Sequence, residues 1–212
     1  MIKPVNMKRK LTMCLVLVLM VVGARAQGFR FGLSGGLNES AYSWDGYTSG
    51  WKTGIHAGIF GEVLLSRKIG IEADLLYSQK GGHYNPDSSF DYTQRFNYLN
   101  LPVLFNFHLT HRLVVQAGPE IGLLLAAGAK SAAGVYNNKE LYRSFDKGVA
   151  GGVFYQLPKG FDVGIRYIQG FKPISKVLYL TDFNGNLIGS GSFGNNTTAQ
   201  LTVHYTLFSR KV

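Results

Sequence analysis

Cysteine is almost absent: the 212 residues hold one, Cys14. Charge is scarce as well, at 16% of residues, against roughly 25% in a typical soluble domain. The longest predominantly apolar run, Leu11 to Val22, covers 12 residues, well short of the roughly 20 that a spanning helix needs. A single thiol excludes a disulfide-stapled mini-protein. What the chain has instead is glycine, 27 residues, and aromatics, 13%. That balance argues against a disordered chain and against a coiled coil. The length suits one domain, with room for a short appendage.

The appendage is at the start. Lys8, Arg9 and Lys10 precede the apolar run, and Ala24-Arg25-Ala26 follows it. Basic segment, short apolar segment and small-x-small site together predict a secretory signal over residues 1–26. Cleavage falls between Ala26 and Gln27, leaving residues 27–212 as the mature domain. Five of the 22 basic residues (Lys3, Lys8, Arg9, Lys10, Arg25) and none of the 12 acids lie in the signal, so +10 becomes +5. Cys14 leaves with it, which removes any Cys-metal site or Cys nucleophile. Half of the net positive charge is an address label, and no nucleic-acid partner is expected.

Beyond residue 27 the apolar residues recur with a period of two, the strand pattern, and show no 3.6-residue stripe. Eight candidate strands emerge: 28–38, 52–65, 67–81, 93–109, 111–126, 144–157, 160–172 and 197–208. Their odd positions are largely apolar, as in Leu99, Leu101, Val103, Phe105 and Phe107. Their even positions carry glycine, short polar groups and a few charges, including Glu62, Glu72, Asp74, Glu120, Asp146, Asp162, Arg166 and His204. Alternation alone fits two architectures. A soluble lipocalin-like barrel turns the apolar face inward, and an outer-membrane barrel turns it to lipid.

Three features favour the second. The polar face holds the small groups that a narrow eight-stranded interior admits. Tight turns near 65–68, 109–112 and 157–160 alternate strictly with long polar connections at 39–51, 82–92, 127–143 and 173–196, as in outer-membrane barrels. Aromatics gather near both strand ends, as interfacial belts require. Tyr42, Trp44, Tyr47, Trp51, Tyr92, Tyr98, Tyr142, Phe145, Tyr167 and Phe171 fall at the long-loop end. Phe107, Tyr155, Phe161 and Phe208 fall at the other. The expected fold is all-β: an eight-stranded antiparallel up-and-down transmembrane barrel in the bacterial outer membrane.

Several segments carry a family resemblance. They are Phe31-Gly32-Leu33-Ser34-Gly35-Gly36-Leu37, the run Ile71 to Gly81, Tyr98-Leu99-Asn100-Leu101-Pro102-Val103-Leu104, Ala117-Gly118-Pro119-Glu120-Ile121-Gly122, Phe145-Asp146-Lys147-Gly148 and Arg166-Tyr167-Ile168-Gln169-Gly170. Over about residues 27–208 the chain resembles the PorT-like outer-membrane β-barrel proteins of Bacteroidota. It is more distantly similar to the OmpX/OmpA-type barrels. The resemblance implies an outer-membrane location and no single activity, since its motifs are architectural.

The inward acids and Arg166, with Lys80, Arg95 or His204 as partners, are expected to form a polar network that fills the lumen, because a buried charge is costly unless paired. His204-x-Thr206 faintly resembles the His-x-Ser pair of lipid A deacylases and keeps a lipid-processing hydrolase open as an alternative. His83, His108 and His111 are scattered histidines and not a metal site. Asn38-Glu39-Ser40 is a formal glycosylation sequon, and Asn184-Gly185 reads as a hairpin tip. The expected function is non-enzymatic: structural or adhesive, or accessory to secretion, with no cofactor. Expected partners are outer-membrane lipid and lipopolysaccharide, the barrel assembly machinery, and a protein or surface ligand met by the four long loops.

Overall fold

The computed structural model describes residues 27–44, 47–84, 92–131, 134–176, 178–181, 187–191 and 194–211. The expected signal and its cleavage site at Ala26 lie outside the described residues; Gln27 is the first residue within them. Eight long strands form the body: β1 (Gly28–Trp44), β2 (Lys52–Leu64), β3 (Ile69–Tyr84), β4 (Tyr92–His108), β5 (Leu113–Ser131), β6 (Phe145–Gln156), β7 (Phe161–Gly170) and β8 (Asn195–Lys211). Each pairs antiparallel with its neighbours in sequence, and β8 pairs back onto β1 from Gly28↔Lys211 to Ser43↔Asn195. The ring is closed, so no strand edge is left with unpaired backbone groups facing lipid.

The period-two pattern decides which side chain faces where. Ile165 is 65% exposed and its neighbour Arg166 only 2%. The same contrast runs round the ring. Leu33, Leu37, Ile55, Ile59, Leu75, Leu101, Phe105, Ile121, Val153 and Leu201 are exposed, while Glu62, Glu72, Asp74, Glu120, Asp162, Thr202 and His204 are buried. A continuous apolar girdle of this size would be a severe liability in water. It suits hydrocarbon, so the soluble lipocalin-like alternative, with its apolar face inward, is excluded.

The turns at 65–68, 109–112 and 157–160 are tight and share one rim. The opposite rim extends further than the sequence pattern suggests. β1 continues to Trp44 and β5 to Ser131, and Gly134–Asn137 pairs with the end of β5. Segments expected as loop are strand because small and polar residues such as Ser40, Ser43, Gly128 and Lys130 keep the ladder while interrupting the hydrophobic alternation that marks a strand in sequence. The proposed tip Asn184-Gly185 lies outside the described residues, but its flanks Leu178–Thr181 and Leu187–Gly191 do pair as a hairpin.

The interior differs from expectation in one respect. Besides glycine and short polar groups it contains Phe60, Leu76, Phe96, Tyr98, Leu104, Leu124 and Phe154, all nearly fully buried. The glycines make room for the rings. A Cβ on Gly164 would sit 2.4 Å from Phe154, and one on Gly32 would sit 2.7 Å from Phe60. Large and small side chains thus interlock across the lumen. Gly164→Val is expected to block folding, read as loss of heat-modifiable gel migration, and adding Phe154→Ala should recover it. Recovery with G164V alone would show that the ring is not the obstacle.

Candidate functional site

The lumen concentrates the chain's polar chemistry in tiers. Nearest the short-turn rim, Arg30 donates through Nε to Glu62 Oε2 at 2.8 Å and through Nη1 to Asp162 Oδ2 at 3.0 Å. Glu62 Oε1 also accepts from Asn106 Nδ2 at 2.7 Å and lies 3.0 Å from His108 Nε2. Asn106 reaches on to Glu72 Oε2 at 3.0 Å, joining this tier to the next.

The second tier centres on Arg166. Its guanidinium donates to Asp74 Oδ2 at 2.8 Å, to Glu72 Oε1 at 3.3 Å and to Gln116 Oε1 at 3.0 Å. His204 lies beside this group, its imidazole stacked on Phe60 at 4.3 Å and tilted on Phe154 at 4.9 Å. Glu72, Asp74 and His204 each bring one potential ligand atom within 4.8 Å of the others. Arg166 already occupies both carboxylates, so a permanent cation of the chain holds the place where a metal ion would go. His83, near the long-loop end of β3, is far from His108 and His111, which lie at the end of β4 and in the tight turn after it.

In the third tier Asn38 is the hub. It donates to Ser78 Oγ at 2.9 Å, and its Oδ1 lies 2.8 Å from His56 Nδ1 and 2.9 Å from Gln200 Nε2. His56 Nε2 lies 3.2 Å from Thr202 Oγ1. The resulting Thr-His-Asn chain has the order of a nucleophile, base and orienting group. All three residues are buried in the wall of packed side chains, so the chain is a structural relay with no space for a substrate. The sequon at Asn38 is likewise void, since its amide is consumed inside the barrel.

Nearest the long-loop rim, Lys80 Nζ donates to Glu120 Oε1 at 3.0 Å, and Asn100 donates to the same oxygen. Asn196 Nδ2 donates to Asp146 Oδ2 at 3.2 Å. A cavity of about 10 Å³ lined by Lys80, Glu120, Asp146 and Asn196 has the size of a single water. A larger hollow of about 860 Å³ lies against the lipid-facing side chains Leu37, Val153, Ile165 and Leu201.

An aromatic and aliphatic plug closes the lumen above these tiers. Tyr42, Phe96, Tyr98, Leu124, Ala127 and Ile174 pack together, with Tyr142 against them. Phe96 meets Tyr42 and Tyr142 edge-on at 5.7 and 4.7 Å. Tyr42 and Tyr98 therefore belong to the interior and not to the interfacial belt, because their positions take the inward parity, and Tyr142, in the segment between β5 and β6, packs half-buried against the same cluster. Trp51, Phe145, Tyr167 and Phe171 at this rim, and Phe107, Tyr155, Phe161 and Phe208 at the other, do face outward. Burial pushes the Tyr142 hydroxyl up to about 12, so it stays protonated at neutral pH.

Of the eight acids, bases and histidine singled out from sequence, Glu62 and Asp162 meet at Arg30, and Glu72, Asp74, Arg166 and His204 meet at the second tier. Glu120 and Asp146 line the small upper cavity. Arg95 is an exposed, outward-facing residue and joins none of them. Arg30, Asn38 and His56 were missed, whereas Asn106 falls on the even, inward face as its position predicts. Arg30 and Asn38 share the even parity of Ser34 on β1, and that parity was the available signal.

Comparison with known proteins comes last. A family model described as "Outer membrane protein beta-barrel domain" matches residues 24–176. No curated protein matches the chain. Among solved structures, Neisserial surface protein A is similar at a TM-score of 0.52 and 12% identity, over 84% of this chain and 97% of that one. Ail, the attachment invasion locus protein of Yersinia pestis, solved with the heparin analogue sucrose octasulfate, gives 0.48 and 14%, over 85% and 99%. The outer membrane protein OprG from Pseudomonas aeruginosa gives 0.44 and 13%, over 89% and 97%. At these identities the likeness concerns the fold alone.

Proposed function

Since the chain belongs to the outer membrane protein β-barrel domain family and lies in the bacterial outer membrane, we propose that it is a non-enzymatic surface-recognition barrel whose long-loop rim carries the function. The observation that carries this reading is the closed mouth. The segments 138–144 and 171–176 are tied together across it: Arg143 N–H donates to Ile174 O at 2.8 Å, Arg143 Nε to Ser175 O at 3.1 Å, and Lys176 N–H to Leu141 O at 2.8 Å. Ile174 is thereby pressed into the plug. Above it stand the exposed side chains of Val135, Tyr136, Lys139, Leu141, Arg143, Lys172 and Lys176. A braced platform with apolar and basic groups is suited to binding a partner, and a filled barrel is not suited to passing solutes.

Within the family, the braced platform favours an adhesive or structural role, with secretion support as the second reading; the resemblance of the motifs to the PorT-like group of Bacteroidota bears on location alone. The hydrolase reading has little support: His204 is enclosed by Phe60 and Phe154, and its Nε2 meets no hydrogen-bond partner among the described residues. Assembly is assigned to the barrel assembly machinery, as for other closed outer-membrane barrels. The test is a deletion strain complemented with the wild type or with loops 127–143 and 173–196 replaced by short turns. The loop variant should fold and insert yet fail to restore surface attachment, and the purified wild type should give no steady conductance in planar bilayers. Restored attachment would overturn the loop assignment. Accumulation of secreted proteins in the periplasm would favour the secretion reading, and steady conductance would favour a pore.

A further inference from the structure

The small hollow beneath the aromatic plug is floored by glycine. Gly122 on β5, Gly148 on β6 and Gly170 on β7 stand on consecutive strands, with Gly122 paired to Asp146 and Gly148 paired to Gly170. The inner wall is bare backbone there, and side chains would fill the space. A Cβ on Gly170 would sit 3.4 Å from Asp146 Oδ1, and one on Gly122 would sit 3.2 Å from Asn100 Nδ2. Lys80, Glu120, Asp146 and Asn196 bring polar groups to the rim of this hollow.

The oxygens around it lack donors. Asn196 is only 3% exposed, and its Nδ2 donates to Asp146 Oδ2, which fixes the orientation of the amide. Its Oδ1 then meets no partner among the described residues. Asp146 Oδ1 is likewise unpartnered and shut off from solvent, beside the bare backbone of Gly170. Buried acceptors of this kind call for a donor or a cation.

Charge decides between the two. Lys80 Nζ is bonded to Glu120 Oε1 at 3.0 Å and balances that carboxylate. Asp146 is bonded by the neutral Asn196 amide, and no cation among the described residues stands within ion-pair distance of it. A water would satisfy both free oxygens yet leave the charge in the wall, where an unpaired ion is costly. A cation satisfies the oxygens and the charge together. Two carboxylates and one ammonium leave a single negative charge, which one monovalent ion neutralises. Calcium takes roughly 6–8 oxygens, more than these side chains offer, and magnesium keeps several of its waters. A hollow of about 10 Å³ has room for one bare ion and no hydration shell.

We propose that this hollow is a binding site for one dehydrated monovalent alkali cation, held by Asp146 Oδ1 and Asn196 Oδ1 with Glu120 as the second carboxylate. The ion ties β6 to β8 directly beneath the plug and so stiffens the base of the loop platform. It does so whatever the loops above bind.

The test uses the full chain folded in detergent. The temperature at which folded gel migration is lost is compared in sodium chloride and in N-methylglucamine chloride at equal ionic strength. Sodium should raise it by about 5 °C, levelling off as the site fills. Crystals soaked in thallium(I), an anomalous scatterer that replaces alkali ions, should show a peak between Asp146 and Asn196. Asp146→Asn keeps the shape and removes the charge; it should show no peak and behave alike in both salts. Glu140→Gln, at an exposed acid of the same rim, should keep both effects. Equal transition temperatures without a thallium peak would mean that the hollow holds water, and would overturn the site. A peak or a sodium effect that survives in Asp146→Asn, or one that is lost in Glu140→Gln, would overturn it as well. The wild-type salt and thallium readings need no variant, so they decide the matter even if Asp146→Asn fails to fold.

Discussion

Arg166→Met is expected to lower the stability of the folded barrel by about 3–5 kcal/mol, because removing one partner leaves buried charge uncompensated. Arg166 lies in the second tier of the lumen with Glu72 and Asp74, all three buried. Methionine has nearly the length of the lost stem but none of the three hydrogen bonds to Asp74, Glu72 and Gln116. The loss should appear as a lower urea midpoint for the chain refolded into phosphatidylcholine vesicles. Adding Glu72→Gln and Asp74→Asn should return most of it, since no charge is then stranded, and the amides keep donors such as Asn106 and Gln116 as partners. A midpoint unmoved by R166M would mean that water reaches the tier and solvates the carboxylates.

Ile165→Arg is expected to cost about 2–4 kcal/mol in a bilayer, the range for a cation near the midplane on the lipid face of a barrel. Ile165 is 65% exposed and lies in the middle of β7 (Phe161–Gly170). An exposed isoleucine changed to arginine in water would typically move stability by no more than about 0.5 kcal/mol. The size of the effect therefore reports directly on the medium outside the barrel. Phe171→Arg, just past the end of β7 at the long-loop rim, should cost only about 0–1 kcal/mol, as the depth dependence requires. Equal costs at the two positions, or none at either, would contradict a hydrocarbon girdle.

Fold class, strand number, and which face meets lipid were all legible in the chain, because a period of two is a local property: each residue's parity follows from its neighbours. Alternating short and long connections completed that reading, since turn length is also local. The strand ends at the long-loop rim were not legible, because β1 and β5 run on there through small and polar residues such as Ser40, Ser43, Gly128 and Lys130, where ladder hydrogen bonds persist without a regular hydrophobic alternation.

The lumen shows the same division. Parity placed Glu72, Asp74 and Arg166 inside, but only closure of the ring set Arg166 on β7 across from two acids on β3. The reach of each side chain across the barrel depends on how far neighbouring strands are staggered, a quantity spread over all eight pairings. Tyr42 and Tyr98 were read as belt residues because they sit at strand ends, whereas the tertiary structure turns them inward to seal the mouth with Ile174. Alternation along one strand determines inside from outside; only the assembled ring decides which inside groups meet.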